Sequence, residues 1–333
     1  MKFLKVKALD AEKVRRKLIE SGALDYSFAV AREQGYILFP ISKEVKVRGA
    51  SVVVMDGKQR KEKPKSLRDA LRDKLSETEL SLVPSAFDIV GDIAILDLPD
   101  EIVEKKKIIA DALLSLFPNI RVVCLKASKV DTDYRIPGIE WVAGEKRTET
   151  VHVEYGCKLK LDVSKVYFSP RLSTERMRVV SQIKDGEKVL VLFAGVGPYA
   201  ILAAKKKKCE VTAVELNPVA VEYMRENVKL NKVEVKVIEG DVKKVALALK
   251  GKYDRIIMPL PKDAGDFLDV TLPLLEKNGV VHFYDFAGTP QEAAEKVKDL
   301  ADNLGYKIKV LAAVECGSYS PLISRMCVDF KLA

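Results

Sequence analysis

Leu4, Val6 and Ala8 alternate with Lys5 and Lys7, so Lys2–Ala8 predicts a strand, and Val14, Leu18 and Ile19 give Ala11–Ser21 one apolar helical face. Tyr36–Pro40 and Ser51–Met55 read as further strands, so residues 1–57 predict a small α+β unit. Residues 58–65 continue a polar, charged stretch with a proline near its end, the pattern of a linker. Ser66–Leu82 then predicts a helix closed by Pro84, and Phe87–Leu96 a strand pair or bulged strand. Ile102–Phe117 is an amphipathic helix and Ile120–Leu125 another strand. Thr150–Asp162 alternates about a turn at Tyr155-Gly156, as a hairpin does. From Asp185 the order becomes strand, glycine turn, helix, strand, helix, the alternation of a doubly wound parallel sheet.

Composition changes this picture in three ways. The chain of 333 residues is 48% hydrophobic, enough for a sizeable core, which excludes wholesale disorder. Its net charge of +9 is uneven: residues 1–64 hold 15 Lys and Arg against 8 Asp and Glu, a net of +7. A basic block ahead of a nearly neutral body suits contact with a polyanion, or else a solvated face. No run approaches the roughly 18 apolar residues of a membrane span, and the start has no signal-peptide core. Five scattered cysteines without a C-x-x-C pair fit reduced thiols in a cytoplasm. His152 and His282 both fall in apolar runs, so neither a histidine-based triad nor a metal site is expected. Many Lys and Glu beside only four Gln and six Asn is a thermophile-like balance.

Candidate chemistry concentrates after the hairpin. Lys188–Phe193 is a buried strand running into Ala194-Gly195-Val196-Gly197-Pro198, where Gly195 and Gly197 permit a ligand to approach the backbone. Glu215 ends the next strand, placed to take the two ribose hydroxyls of an adenosine, and Asp241 ends a third, where a carboxylate can accept from an adenine amino group. A dinucleotide fold shares the first two glycines, but Ala200 stands at the third place of that fingerprint. The three strand ends together favour S-adenosylmethionine over NAD. Ahead of them, Val166–Arg176 carries a Ser-Pro turn before a helix start, with Ser173 or Thr174 as cap and Glu175 in the first turn.

The strings YFSPRLSTER, VLFAGVGPY and VELNPVAVEYMRENVKLN, with SAFDIVGDIAIL, DYRIPGIEWVAGEKRTETVHVEYG and VVHFYDF, together resemble the archaeal and eukaryotic tRNA (guanine-37-N1)-methyltransferase family. The resemblance runs from about residue 66 to the C-terminus, and residues 1–57 are more loosely similar to the small leading domain of archaeal members. It implies an α/β architecture: a Rossmann-like class I methyltransferase domain at 166–333, an α+β RNA-recognition domain at 66–165, and a basic tRNA-binding domain at 1–57. It further implies methyl transfer from S-adenosylmethionine to N1 of the guanine next to the anticodon, with tRNA as the partner; a monomer in the cytoplasm is the accompanying expectation.

By the same resemblance Glu175 is the general base, and Arg135 stabilises the charge that develops on guanine O6. Tyr167, Phe193, Gly195, Val196, Gly197, Glu215, Leu216, Asp241 and Pro259 are expected to hold the donor, Tyr167 helping with the target base as well. Arg171, Arg176 and Pro261 are expected on the RNA side. Two positions depart from the family pattern. Val191 stands where an acidic residue is common, and Pro259-Leu260-Pro261 replaces Asn-Leu-Pro, removing an amide contact to the guanine edge. The proline keeps open C7 methylation of 4-demethylwyosine at the same tRNA position; aminocarboxypropyl transfer, the other wyosine-pathway alternative, is opposed by Arg171 in the Ser-Pro-Arg-Leu turn and by the basic leading domain. A non-catalytic tRNA-binding protein and a small-molecule methyltransferase are the remaining alternatives.

Overall fold

A computed structural model describes residues 1–60, 64–127 and 138–333. They form two compact units, residues 1–65 and 66–333. In the first, β1 (Lys2–Lys7), α1 (Ala11–Glu20), β2 (Ala31–Glu33), β3 (Tyr36–Pro40) and β4 (Ser51–Val54) build an antiparallel sheet of order β2-β3-β1-β4. Val14 and Leu18 of α1 pack with Leu4, Val6 and Phe39 of the sheet. The opposite side of α1 exposes Lys13, Arg15, Arg16 and Lys17. The short strand β2 has no sequence signal of its own and forms by pairing to β3.

The second unit opens with α2 (Leu67–Leu71) and α3 (Glu77–Leu82), where one continuous helix was expected. Ser76 is the reason. Its side chain accepts from the Glu79 amide while the Glu79 carboxylate accepts from the Ser76 amide, a reciprocal cap that starts a new helix. β5 (Asp88–Val90), β6 (Ile93–Leu96), α4 (Lys106–Leu116), β7 (Val122–Lys126) and β8 (Ile139–Gly144) follow, giving a sheet of order β5-β6-β7-β8. The parallel pair β6–β7 is joined through α4, whose Ile109, Ala110 and Leu113 are buried. β9 (Glu149–Glu154) and β10 (Cys157–Asp162) make the expected hairpin.

The large sheet is built from α5 (Ser173–Ser181), β11 (Lys188–Leu192), α6 (Pro198–Lys206), β12 (Glu210–Glu215), α7 (Pro218–Asn231), β13 (Lys236–Glu239), α8 (Val242–Ala248) and β14 (Tyr253–Met258). It is completed by α9 (Leu268–Thr271), β15 (Leu275–Ala287), α10 (Pro290–Asn303), β16 (Ile308–Ser320) and β17 (Ile323–Leu332). Its order is β13-β12-β11-β14-β15-β17-β16. β11 to β15 run parallel, and β17 and β16 close one edge antiparallel. The parallel strands read as apolar runs because helices cover both faces. Val191, one of the two departures from the family pattern, is buried in this core.

Candidate active site

In an open parallel sheet, ligands bind outside the carboxyl ends of the strands, where the strand order reverses. Here that point lies at β11, whose neighbours are β12 on one side and β14 on the other. β11 ends at Leu192, and the chain turns through Phe193 at φ 53°, Gly195 at φ 57° and Gly197 at φ 88° before α6. A Cβ on Gly197 would come within 2.8 Å of Met224, so close packing of α7 demands glycine there. A Cβ on Gly195 would meet nothing nearer than the Tyr167 carbonyl at 3.8 Å, so the space above that backbone is open.

Glu215, at the end of β12, reaches across to this turn. Its Oε2 accepts from the Gly195 amide at 2.7 Å, and Oε1 accepts from the amides of Leu216 at 3.0 Å and Asn217 at 2.8 Å. Burial raises its carboxyl above the ordinary range, against the three amides that lower it. Gly240 donates its amide to the Glu215 carbonyl at 2.9 Å, bringing the end of β13 alongside. Asp241 follows and caps α8, its side chain accepting from the Lys244 amide at 3.2 Å. Phe193 meets Phe267 edge to face at 4.9 Å between centroids, a partner the sequence reading missed. Phe193, Gly195, Glu215 and Asp241 thus share one row of strand ends, an open backbone cradle beside a partly desolvated carboxylate. That donor set fits an adenosyl group: a diol for Glu215, an amino group for Asp241, and a π-face at Phe193. Leu216 is exposed, whereas Val196 is buried against Ala220 and can offer only its backbone.

Glu175 lies on the other side of β11. No side chain caps α5; a single 3-10 turn, Pro170–Leu172, leads into it in place of the expected Ser173 or Thr174 cap. Glu175 is only 7% exposed. Oε1 accepts from the Tyr284 hydroxyl at 2.7 Å and from Arg178 Nη2 at 2.8 Å, while Oε2 accepts from Arg178 Nε alone, at 2.7 Å. Because Tyr284 donates to Glu175, it must accept from Tyr199, 2.7 Å away. Burial drives both phenols well above their ordinary pKa, so both keep their protons.

The network continues inward. Arg178 also donates to Asp329 at 2.6 Å, and Asp329 lies 2.6 Å from His282 Nδ1. Arginine can only donate, so His282 Nε2, 2.7 Å from Arg255, accepts, and Nδ1 carries the proton. Burial opposes His282 protonation, and the His282 and Arg178 contacts hold the Asp329 carboxyl far below its ordinary range. His282, Cys327 and Asp329 are close enough for a shared ion, yet Arg255 already takes His282 Nε2 and Arg178 both Asp329 oxygens. The His–Asp pair also lacks a nucleophile on its far nitrogen.

The remaining expected site residues scatter. Tyr167 is half exposed and accepts from Arg325 Nη2 at 3.2 Å. Pro259 directly follows β14, beside the cradle, with Pro261 two residues on. Arg171 is exposed and paired with Asp88 at 2.6 Å. Arg176, for which RNA was the expected partner, is instead 2% exposed and bound to Glu154 by two 2.6 Å hydrogen bonds. Arg135 lies outside the described residues.

Comparison with known proteins gives matches along the whole chain. Residues 150–310 match the TRM5/TYW2 methyltransferase domain, 67–148 the TYW2 N-terminal domain, and 4–47 the tRNA methyltransferase 5 N-terminal domain. The chain is 40% identical to the tRNA (guanine(37)-N(1))-methyltransferase Trm5b of Pyrococcus abyssi, over 99% of this chain and 98% of that protein. The crystal structure of Trm5b from Pyrococcus abyssi superposes with a TM-score of 0.76 at 40% identity, covering 100% of this chain and 99% of the other. A solved complex of aTrm5 with tRNALeu superposes with a TM-score of 0.81 at 32% identity, covering 99% of each chain.

Proposed function

The chain belongs to the TRM5/TYW2 methyltransferase family, and from that premise we infer that it methylates N1 of the guanine at position 37 of tRNA. The observation that supports this most directly is the cradle at the ends of β11, β12 and β13, where an open glycine backbone meets the Glu215 carboxylate at 2.7 Å. S-adenosylmethionine supplies an electrophilic methyl group when bound there. Glu215 is assigned to the ribose hydroxyls, Asp241 to the adenine amino group, and Phe193, Gly195 and Gly197 to the floor beneath them.

Guanine N1 is a neutral, weakly acidic nitrogen and must lose its proton as it takes the methyl. Glu175 is assigned that proton, on Oε2, the oxygen that carries one donor where Oε1 carries two. Arg178 and Tyr284 fix the plane of the carboxylate, so the base is oriented before RNA arrives. Arg135, by resemblance, faces O6, where negative charge accumulates as the proton leaves. Nucleoside mass spectrometry after incubation with S-adenosylmethionine and unmodified tRNA transcripts tests the reading. N1-methylguanosine at position 37 is the expected product, and a transcript with adenine there stays unmodified. A tricyclic or aminocarboxypropyl product from precursor-bearing tRNA alone would reassign the enzyme to the wyosine pathway.

The leading unit is read as the grip on the body of the tRNA, through the basic face of α1. Deleting residues 1–65 is expected to weaken tRNA binding and flatten its salt dependence, with donor affinity intact. A salt slope equal to that of the full chain would refute this role. The enzyme is read as a cytoplasmic monomer: its five free cysteines suit a reducing compartment. No helix among the described residues is long and apolar enough to cross a membrane.

A further inference from the structure

β15 and β17 pair His282 with Asp329, Tyr284 with Cys327 and Phe286 with Arg325. Residues two apart on a strand share a face, so these three pairs form one ladder that climbs from the buried network to the carboxyl edge of the sheet. Exposure rises along it. His282 and Tyr284 are buried and Phe286 is half-buried, while Tyr319, from the end of β16, is 63% exposed. The Tyr319 ring lies 4.3 Å from that of Phe286, tilted by 37°. Arg325 sits over the Phe286 ring at 5.8 Å and donates to Tyr167. Its Nε is shielded from water yet finds no acceptor among the described residues. Opposite Arg325 in β16 is Gly317, above which a Cβ would meet nothing within 4 Å.

Two aromatic faces, an arginine with an unmade hydrogen bond and open space over a glycine are the components of a stacking surface for a nucleobase. We propose that Tyr319, Phe286 and Arg325 form a platform for a nucleotide flanking the target in the tRNA loop, an assignment that rests on the reading above. Distance decides between target and neighbour. The Tyr319 ring packs on Phe286 of β15, and β15 stands two strand spacings from β11, roughly 10 Å at about 4.8 Å each. A base stacked on Tyr319 therefore cannot also present N1 to a methyl group above β11. The ladder gives the platform its purpose: Phe286 is two residues from Tyr284, so a neighbour held there sets the height at which the target base meets Glu175.

The test is a binding cycle with the full-length enzyme and synthetic anticodon stem-loops, either intact or abasic at one of the two positions flanking the target. Tyr319 is exposed, so Tyr319→Ala should fold normally. It is expected to weaken binding of the intact RNA on the order of tenfold. Against the RNA that is abasic at the occupied position it should cause no further loss, and Tyr319→Phe should bind the intact RNA like wild type. Equal weakening of every RNA by Tyr319→Ala, or no weakening of any, would overturn the platform. Methyl transfer by the wild-type enzyme is followed in parallel. Its absence would count against the methyltransferase reading, while the binding cycle alone judges the platform.

Discussion

Glu175→Gln is expected to slow methyl transfer by about 10²–10⁴-fold while donor affinity stays at its wild-type value. The base acts only in the chemical step, so the loss should appear in kcat and in single-turnover rate, not in the binding of S-adenosylmethionine. Glutamine is the informative replacement. Its carbonyl can still accept from Tyr284, but its amide then faces the guanidinium of Arg178, donor against donor. Some stability is lost with that contact, so melting temperature is measured alongside and rates are compared well below it. Glu215→Ala provides the contrast. It leaves the proton acceptor in place and removes the carboxylate assigned to the ribose, so donor affinity should fall first. Parallel loss of donor affinity in Glu175→Gln, or a rate near wild type, would end the general-base assignment.

The two carboxylates differed in how far the sequence could place them. The cradle was legible because everything that forms it is local or in register: a strand, a glycine turn with φ above +50°, and acids at the ends of adjacent parallel strands. Hydrophobic period and glycine spacing report on such features directly. The surroundings of Glu175 were not legible. Tyr284 is 109 residues away from it, and Asp329 is 151 residues from Arg178. Those contacts exist only once β15 and β17 pair and α5 packs over them. His282 illustrates the same limit: its apolar run placed it on a buried strand, but gave no hint of Asp329 opposite. The break between α2 and α3 had a signal that went unused, the Ser76-x-x-Glu79 capping box. For Arg171 and Arg176 the motif supplied residue types, and tertiary packing then separated them. Arg171 stays at the surface with Asp88, while Arg176 turns inward.

Arg176→Ala is expected to destabilise the second unit by about 3–5 kcal/mol, because it leaves Glu154 buried as an unpaired charge. For a unit of this size that corresponds to a melting temperature lower by roughly 10 °C. The guanidinium ties two pieces of chain to α5. It donates twice to Glu154 on β9 and once, at 3.2 Å, to the Ser169 carbonyl of the Ser-Pro turn, and it sits 5.2 Å from the Phe168 ring. Those contacts fix the start of α5, so Arg176 acts on the reaction only by positioning its neighbour Glu175. An RNA-contacting arginine would behave in the opposite way, with tRNA affinity and its salt slope falling while stability is kept. Arg176→Met combined with Glu154→Leu separates the two roles further. It removes both charges together, so most of the lost stability should return although no guanidinium is restored. If Arg176→Ala melts like wild type and binds tRNA more weakly, the arginine serves RNA after all.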